Sequence, residues 1–410
     1  MMVVYHHIIV TLLSFITTSS SFHAPKQSNG IHLTQLYQTN AHHQHELLQG
    51  MVQFVGRDMI NPKTNRFYYY CRPHDGRCEH VHMPLRDLAA AWDATKAIEY
   101  LNGQNSEILQ PLVDAVKCTL RYYVGALESV QQKEDLSLSE DVLLEPIHIG
   151  HSALLLLSAC NALKLNMVDE HDMEDIKNAI DGLSRGILSK QLDNGAFCSY
   201  YKDKIDYVQG IAFFPGEAIL ALITAYNCNF LDKTTNERIM SAMLHAFEFY
   251  SDYYDNEDVD MNYNIWQVIA FAALYDCLHR KAQKQDEVAG YVLAMCQEIC
   301  QSKSWKYQLS RGQSFYVNLE TIEIACGLDA LAEGIRVAKL QQEIELVTLF
   351  ERNAANALQF LSWMQSHVPS TCVLGSGGLG YGGICVLEQR LDVTGHAISA
   401  MVKLRKLATD

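Results

Sequence analysis

The sequence predicts an all-α protein, an (α/α)6 toroid with an inner ring of apolar helices and an outer ring of amphipathic ones. Three observations lead there. Helices that are apolar nearly all round alternate with helices carrying a single apolar stripe, so one member of each pair is buried and the other faces water on one side. The apolar helices open on polar residues. The pairs repeat loosely, which implies a stacked or closed arrangement; an open stack needs polar caps at its ends, whereas a ring needs its ends to meet.

Taken in order, His32 to Val55 reads as an outer helix that can close the ring, with Leu33, Leu36, Leu47, Leu48, Val52 and Phe54 as a partial stripe. Arg66-Phe-Tyr-Tyr-Tyr70 is β-like and lies between Asn61-Pro62 and Pro73-His74-Asp75-Gly76, so it is read as a short hairpin or loop. Pro84 to Tyr100 is a helix with proline in its first turn, and Leu109 to Leu127 is its partner. His148 to Cys160 is apolar nearly all round, and Glu174 to Leu188 is amphipathic. Phe213 to Leu222 and Thr235 to Tyr250 form the next pair, followed by Asn262 to Leu274 with Asp286 to Gln301. Asn318 to Leu331 pairs with Gln341 to Met364. The last helix is expected to begin at Thr394, as N-cap, after a glycine-rich loop at Gly377 to Gly383 that lets the chain turn tightly. Asp392 would then sit above the positive end of that helix. The inner helices thus begin near Met83, His148, Pro215, Asn264, Asn318 and Thr394.

The chain has 410 residues, 49% of them hydrophobic, enough for one large core. A formal charge of -15 argues against a nucleic-acid partner, which calls for a basic patch. The twelve cysteines are scattered through apolar runs and are read mostly as reduced, buried thiols. Val3 to Ile16 is apolar and of signal-peptide length, though no Lys or Arg precedes it. Ser20-Ser21-Phe22-His23-Ala24-Pro25 looks like the signal/transit junction of plastid proteins in algae with secondary red plastids, and the first acidic residue is Glu46. The expectation is a signal peptide over 1–21, a transit leader over 22–45 and one toroid domain over 46–410, imported into the plastid, with secretion as the alternative. No later segment is long and apolar enough to span a membrane.

Phe214-Pro-Gly-Glu-Ala218, the Asp193-Asn-Gly-Ala-Phe197 loop, Asn264-Ile-Trp-Gln267 and Arg390-Leu-Asp-Val-Thr-Gly-His396 resemble a bacterial and algal group of six-hairpin glycosidase-like proteins. The resemblance runs from about Arg66 to Leu407. It implies an architecture related to glycoside hydrolases, polysaccharide lyases and sugar epimerases, and says little about the reaction. Gly395 departs from the pattern, which has Gln before the histidine.

In such a ring the polar starts of the inner helices converge on one mouth, the default pocket. Glycosidic cleavage calls for two carboxylates on different helices, one protonated and one ionised. Glu217 and Asp392 are the first pair, with Glu320 as alternate; the bland reading has Glu217 capping a helix end or bound to Arg390 as a buried ion pair. His396, on the last helix, is a candidate acid or base near neutral pH. Arg86, Asp87, Asn264, Trp266, Arg390 and Tyr381 are candidate substrate contacts, the arginines holding anionic or hydroxyl groups. Phe197, Tyr200, Tyr201 and Tyr263 would add apolar faces for a sugar or an isoprenoid. His148 and His151 lie three apart and raise a metal reading that lacks a third ligand. Cys71 and Cys78 are open to zinc, a disulfide or an ordinary loop, and Asp252 to Asp260 is read as a solvated loop. No cofactor and no metal is expected. The leading function is a carbohydrate-active enzyme, a hydrolase, lyase or epimerase; the alternatives are a terpenoid cyclase, or a non-catalytic scaffold gripping a glycan or peptide.

Overall fold

Six helices follow one another around a closed inner ring: Pro84–Leu101, Ile149–Lys164, Phe214–Tyr226, Met261–Cys277, Thr321–Leu340 and Leu391–Thr409. Each packs on the next, and the sixth packs on the first. The computed structural model describes residues 44–72, 77–79, 83–104, 106–130, 135–201, 210–278, 282–311, 321–366, 378–381 and 388–409, all within the unit His32–Asp410. The leader and its expected processing site, Glu320, and Gly377, Gly382 and Gly383 of the glycine-rich loop lie outside them. No described helix is long and apolar enough to cross a membrane.

Leu109–Val124, Met173–Leu188, Lys233–Asn256, Ala282–Gln301 and Ile344–Ser366 form the outer layer. Residues 44–58, α-helical and then a π-helical turn over Phe54–Asp58, complete it. Gly56 presses against Ile108 and Leu112 beside one flanking outer helix, and Gln365 Nε2 on the other donates to Leu47 O at 3.0 Å. The ring therefore closes through the segment that the sequence pattern assigned to closure.

Burial follows composition. Leu154, Leu155, Leu156 and Leu157 run consecutively round the second inner helix, and all are buried. By contrast Met173–Leu188 buries Ile176, Ala179, Ile180, Leu183 and Ile187, the spacing of one helical face. Helix starts are fixed by caps: Asp232 Oδ1 accepts from Thr235 N and Asp260 Oδ1 from Tyr263 N, both at 2.9 Å. Asp260 is thus a cap within the acidic run that the sequence reading left as a solvated loop.

Two local expectations are corrected. The last helix begins at Leu391, not Thr394. Its start is set by strand pairing: Leu391 N donates to Tyr69 O at 3.1 Å, and Thr394, already helical, bonds back to Arg390 O at 2.9 Å. Asp392 accordingly lies in the first turn instead of above it. The segment near Tyr70 belongs to a four-stranded sheet in the order β2 (Arg77–Glu79), β1 (Tyr70–Arg72), β6 (Glu388–Arg390), β5 (Gly380–Tyr381). Cys71 and Cys78 stand opposite each other on β1 and β2 and form a disulfide, so neither offers a thiolate to zinc.

Candidate active site

β1 pairs antiparallel with β6, setting Tyr70 opposite Arg390, and β6 runs directly into the sixth inner helix. That junction gathers charge. Arg390 grips Asp392 with two bonds, Nε to Oδ1 at 3.0 Å and Nη2 to Oδ2 at 2.5 Å. Arg86, from the first inner helix, reaches Asp392 Oδ2 at 3.2 Å, and Val393 N donates to Oδ1 at 2.9 Å. Both guanidinium groups also lie over the Tyr69 ring, at 5.8 Å for Arg86 and 5.3 Å for Arg390. Asp392 is buried, and its bonds to the two guanidinium groups are charge-assisted.

Glu217 has the opposite environment. It stands in the first turn of the third inner helix behind Pro215, is 6% exposed, and its Oε2 has no hydrogen-bond partner among the described residues. Burial pushes its pKa up to about 7, against the pull of Arg86 and His396. Near neutral pH it is poised between acid and base. Two carboxyl groups near the same arginine thus have opposite surroundings, one gripped by guanidinium groups and one buried with an oxygen unpartnered among the described residues.

Behind them, His396 is framed by two indoles, Trp266 at 5.7 Å and Trp92 at 6.3 Å between ring centroids, both edge-on. The indoles stack on each other at 6.2 Å. Trp266 reaches this place because Gly216 lets the third and fourth inner helices meet; a Cβ there would lie 2.7 Å from Trp266 Cβ. His396 Nδ1 lies 3.7 Å from Asp329 Oδ2. Burial opposes a charged ring, but Cys326, Asp329 and Asp93 outweigh it and raise the His396 pKa well above the ordinary value. Asp329 is held by Lys403 Nζ at 2.9 Å and Ser399 Oγ at 3.0 Å. Burial pushes the Asp329 pKa up, and Lys403 and His396 more than reverse this, to about 2. Asp93, buried with Oδ1 unpartnered among the described residues, is pushed up to about 7 by desolvation.

Gly395, the departure from the resembled pattern, has a steric reason. An added Cβ would lie 2.0 Å from Asp93 Oδ2, so the carboxylate occupies the space a side chain would need.

Of the sequence candidates, Arg86, Glu217, Trp266, Arg390, Asp392 and His396 come together. Asp87 does not. It follows Arg86 directly, about 100° further round the helix, and faces outward, where it accepts from Tyr123 Oη at 3.0 Å and meets Arg66 at 3.5 Å. Asn264 is buried and donates through Nδ2 to Glu298 Oε2 at 3.1 Å. Tyr381 sits on β5 opposite Glu388. The expected aromatic lining is partly core: Phe197 and Tyr263 are fully buried, Tyr263 Oη donating to Tyr250 O at 3.0 Å. Trp92, Asp93, Asp329 and Lys403 were not singled out beforehand. An acid inside an otherwise apolar helix, as in Ala-Ala-Ala-Trp-Asp or Cys-Gly-Leu-Asp-Ala, was the available signal.

The His148–His151 metal reading does not hold geometrically. The rings stack at 3.7 Å, His151 Nε2 bonds Glu145 Oε1 at 2.9 Å, and His151 Nδ1 accepts from His148 N at 3.4 Å, so His151 has no lone pair to give. Asp169, His171 and Asp172 cluster on the outer face, but Arg121 and Lys117 already neutralise the two carboxylates, at 2.7 and 2.6 Å. A cleft of about 370 Å³ beside them, lined by Arg121, Asp172 and Asp175 among others, is on the outer layer, away from the mouth.

No protein-family model matches the sequence, and neither does any curated protein sequence. Solved structures do match by shape. An unsaturated glucuronyl hydrolase specific for heparin has a TM-score of 0.57 at 10% identity, covering 90% of this chain and 98% of its own. An unsaturated glucuronyl hydrolase from Streptococcus agalactiae has 0.57 at 11%, covering 93% and 98%. A family 15 glucoamylase from Hypocrea jecorina has 0.51 at 10%, covering 90% and 72%. The chain therefore has the six-hairpin glycosidase-like (α/α)6 toroid fold.

Proposed function

We propose that this protein is a carbohydrate-active enzyme whose catalytic pair is Glu217 and Asp392 at the mouth of the ring. The observation that carries the proposal is the contrast between them: a buried, unpartnered carboxyl pushed to about 7 beside a carboxylate gripped by two arginines. As the glycosidic C–O bond breaks, Glu217 gives its proton to the departing sugar oxygen, while Asp392, as the partner base, takes a proton from the water whose oxygen bonds to the sugar carbon. Arg86 and Arg390 hold Asp392 in place. The indoles of Trp92 and Trp266 supply apolar surface for a sugar ring. The likeness in fold to a glucoamylase and to glucuronyl hydrolases is consistent with glycan chemistry.

The test is a thermal-shift screen of the chain from residue 46 against sugars, oligosaccharides and isoprenoid diphosphates. The expected result is stabilisation by a sugar, retained in Glu217→Gln while turnover of that sugar is lost. Stabilisation by a diphosphate alone would instead support the cyclase reading. One observation favours a non-catalytic scaffold: Asp392 is fully satisfied by Arg86, Arg390 and Val393 N. Unchanged binding with no turnover in the wild type would establish that reading. We also propose plastid import by residues 1–45, tested by the destination of a fluorescent protein carrying them; export from the cell would refute it.

A further inference from the structure

His148 is held with unusual firmness for a residue that no ion pair uses. It precedes the second inner helix, and its ring lies between two others. Phe214 stacks on it at 3.9 Å and 11°, and His151 lies at 3.7 Å and 31°. His151 is itself locked by Glu145. The His148 backbone bridges to Tyr200, whose ring meets its edge at 6.1 Å. The ring is 7% exposed as a residue, and its buried Nδ1 has no hydrogen-bond partner among the described residues. Burial, with His151 adding to it, lowers the His148 pKa to about 2, so the ring is neutral and Nδ1 can offer a lone pair.

Another buried atom here without a hydrogen-bond partner among the described residues is Glu217 Oε2. A Cβ on Gly150 would lie 2.4 Å from Glu217 Oε2 and 3.0 Å from His148 Nδ1. Two atoms that close to one point are near enough for a single oxygen to bond both at ordinary lengths. Native proteins rarely leave two such groups unsatisfied side by side. We propose that His148 Nδ1 and Glu217 Oε2 share one hydroxyl oxygen, a water in the free protein and a ligand hydroxyl in the complex, and that Gly150 preserves the position. The oxygen donates its hydrogen to Nδ1 and accepts from the protonated carboxyl. A hydroxyl does both; a carboxylate or phosphate cannot donate, and an ammonium cannot accept. The ligand group here is therefore a hydroxyl, as a polyol or sugar offers. Any side chain at 150 would drive Glu217 away from the histidine.

The ligand half of the inference rests on the carbohydrate reading; the pairing does not. The first measurement is a high-resolution crystal structure of the ligand-free chain. The expected result is an ordered water about 2.6–3.2 Å from both atoms. Its absence, or a water on one atom alone, overturns the pairing whatever the sugar screen finds. The second compares a sugar that stabilises the wild type with its deoxy analogues, in wild type and in His148→Phe, which keeps the stack but loses Nδ1. One deoxy analogue should bind the wild type roughly tenfold or more weakly than its parent, and the variant should bind both equally. Undiminished discrimination in the variant overturns the shared hydroxyl. If His148→Phe does not fold, Gly150→Ala takes its place with the same expectation. A screen with no sugar binder refutes the carbohydrate reading and leaves the pairing to the water.

Discussion

Glu217→Gln should make the protein more stable in a way that depends on pH. The folded state holds the carboxyl at about 7, whereas an unperturbed glutamate sits at 4.5. Below 4.5 both states are protonated, and no difference arises. Between 4.5 and 7 the native state binds more protons than the unfolded one, so stability falls as pH rises through that window. Above it the full cost of burying the charge is present, about 3 kcal/mol at 1.36 kcal/mol per unit. Glutamine has the same shape and no such term. The melting temperatures of wild type and variant should therefore separate as pH rises from roughly 5 to 8, by roughly 6 °C at about 2 °C per kcal/mol. A constant contribution from the amide's own hydrogen bonds shifts the whole curve, so the diagnostic is the slope. The assay is differential scanning calorimetry of both proteins across that range. A separation that does not change with pH would refute the claim that Glu217 titrates near neutrality, and with it the acid role.

Three other perturbations read the rest of the site. Gly395→Ala puts a methyl into the Asp93 carboxylate and should cost about 1–3 kcal/mol, with Asp93→Ala recovering part of it in the double variant; strictly additive losses in denaturant melts would contradict the contact. His396 should keep its proton above the pH at which a free histidine loses it, and Asp329→Asn should move its titration, followed by the ring proton shift in NMR, to lower pH; an unmoved titration would refute the contact. Because its pKa is raised, the stability it contributes is present below 6.5 and is lost only as pH passes the raised folded value. Reducing the Cys71–Cys78 bridge closes no long loop and should lower stability by only about 2 kcal/mol, checked by melting with and without dithiothreitol; a larger loss that also weakens ligand binding would show that β1 and β6 depend on it.

The alternation of all-round and one-sided apolar helices was legible because each helix's burial is a local property of its own periodicity. Ile149–Lys164 and Met173–Leu188 show it at a glance. Pro84 and Pro215 mark starts for the same reason, since a first-turn signal acts locally, whereas the Asp260 cap is hidden in an acidic run that reads as a loop. The start of the last helix was misread because nothing within that turn sets it: Tyr69, far away in sequence, supplies the carbonyl that receives Leu391 N. Arg86 reaches Asp392 and Asp87 turns to Tyr123, though they are neighbours, because only the placement of the helix decides which of two adjacent faces looks inward.

Composition and period alone determined the ring, its inner and outer members, and the mouth where polar helix starts gather. They named Glu217, Asp392 and His396 as residues of interest. Only the tertiary structure decided what each group is: Glu217 a buried acid whose Oε2 has no hydrogen-bond partner among the described residues, Asp392 a carboxylate gripped by two arginines, His396 a ring beside Asp329, which Lys403 holds. Protonation depends on the dielectric and on charges brought from distant parts of the chain, and neither is written in a residue's own neighbourhood in sequence.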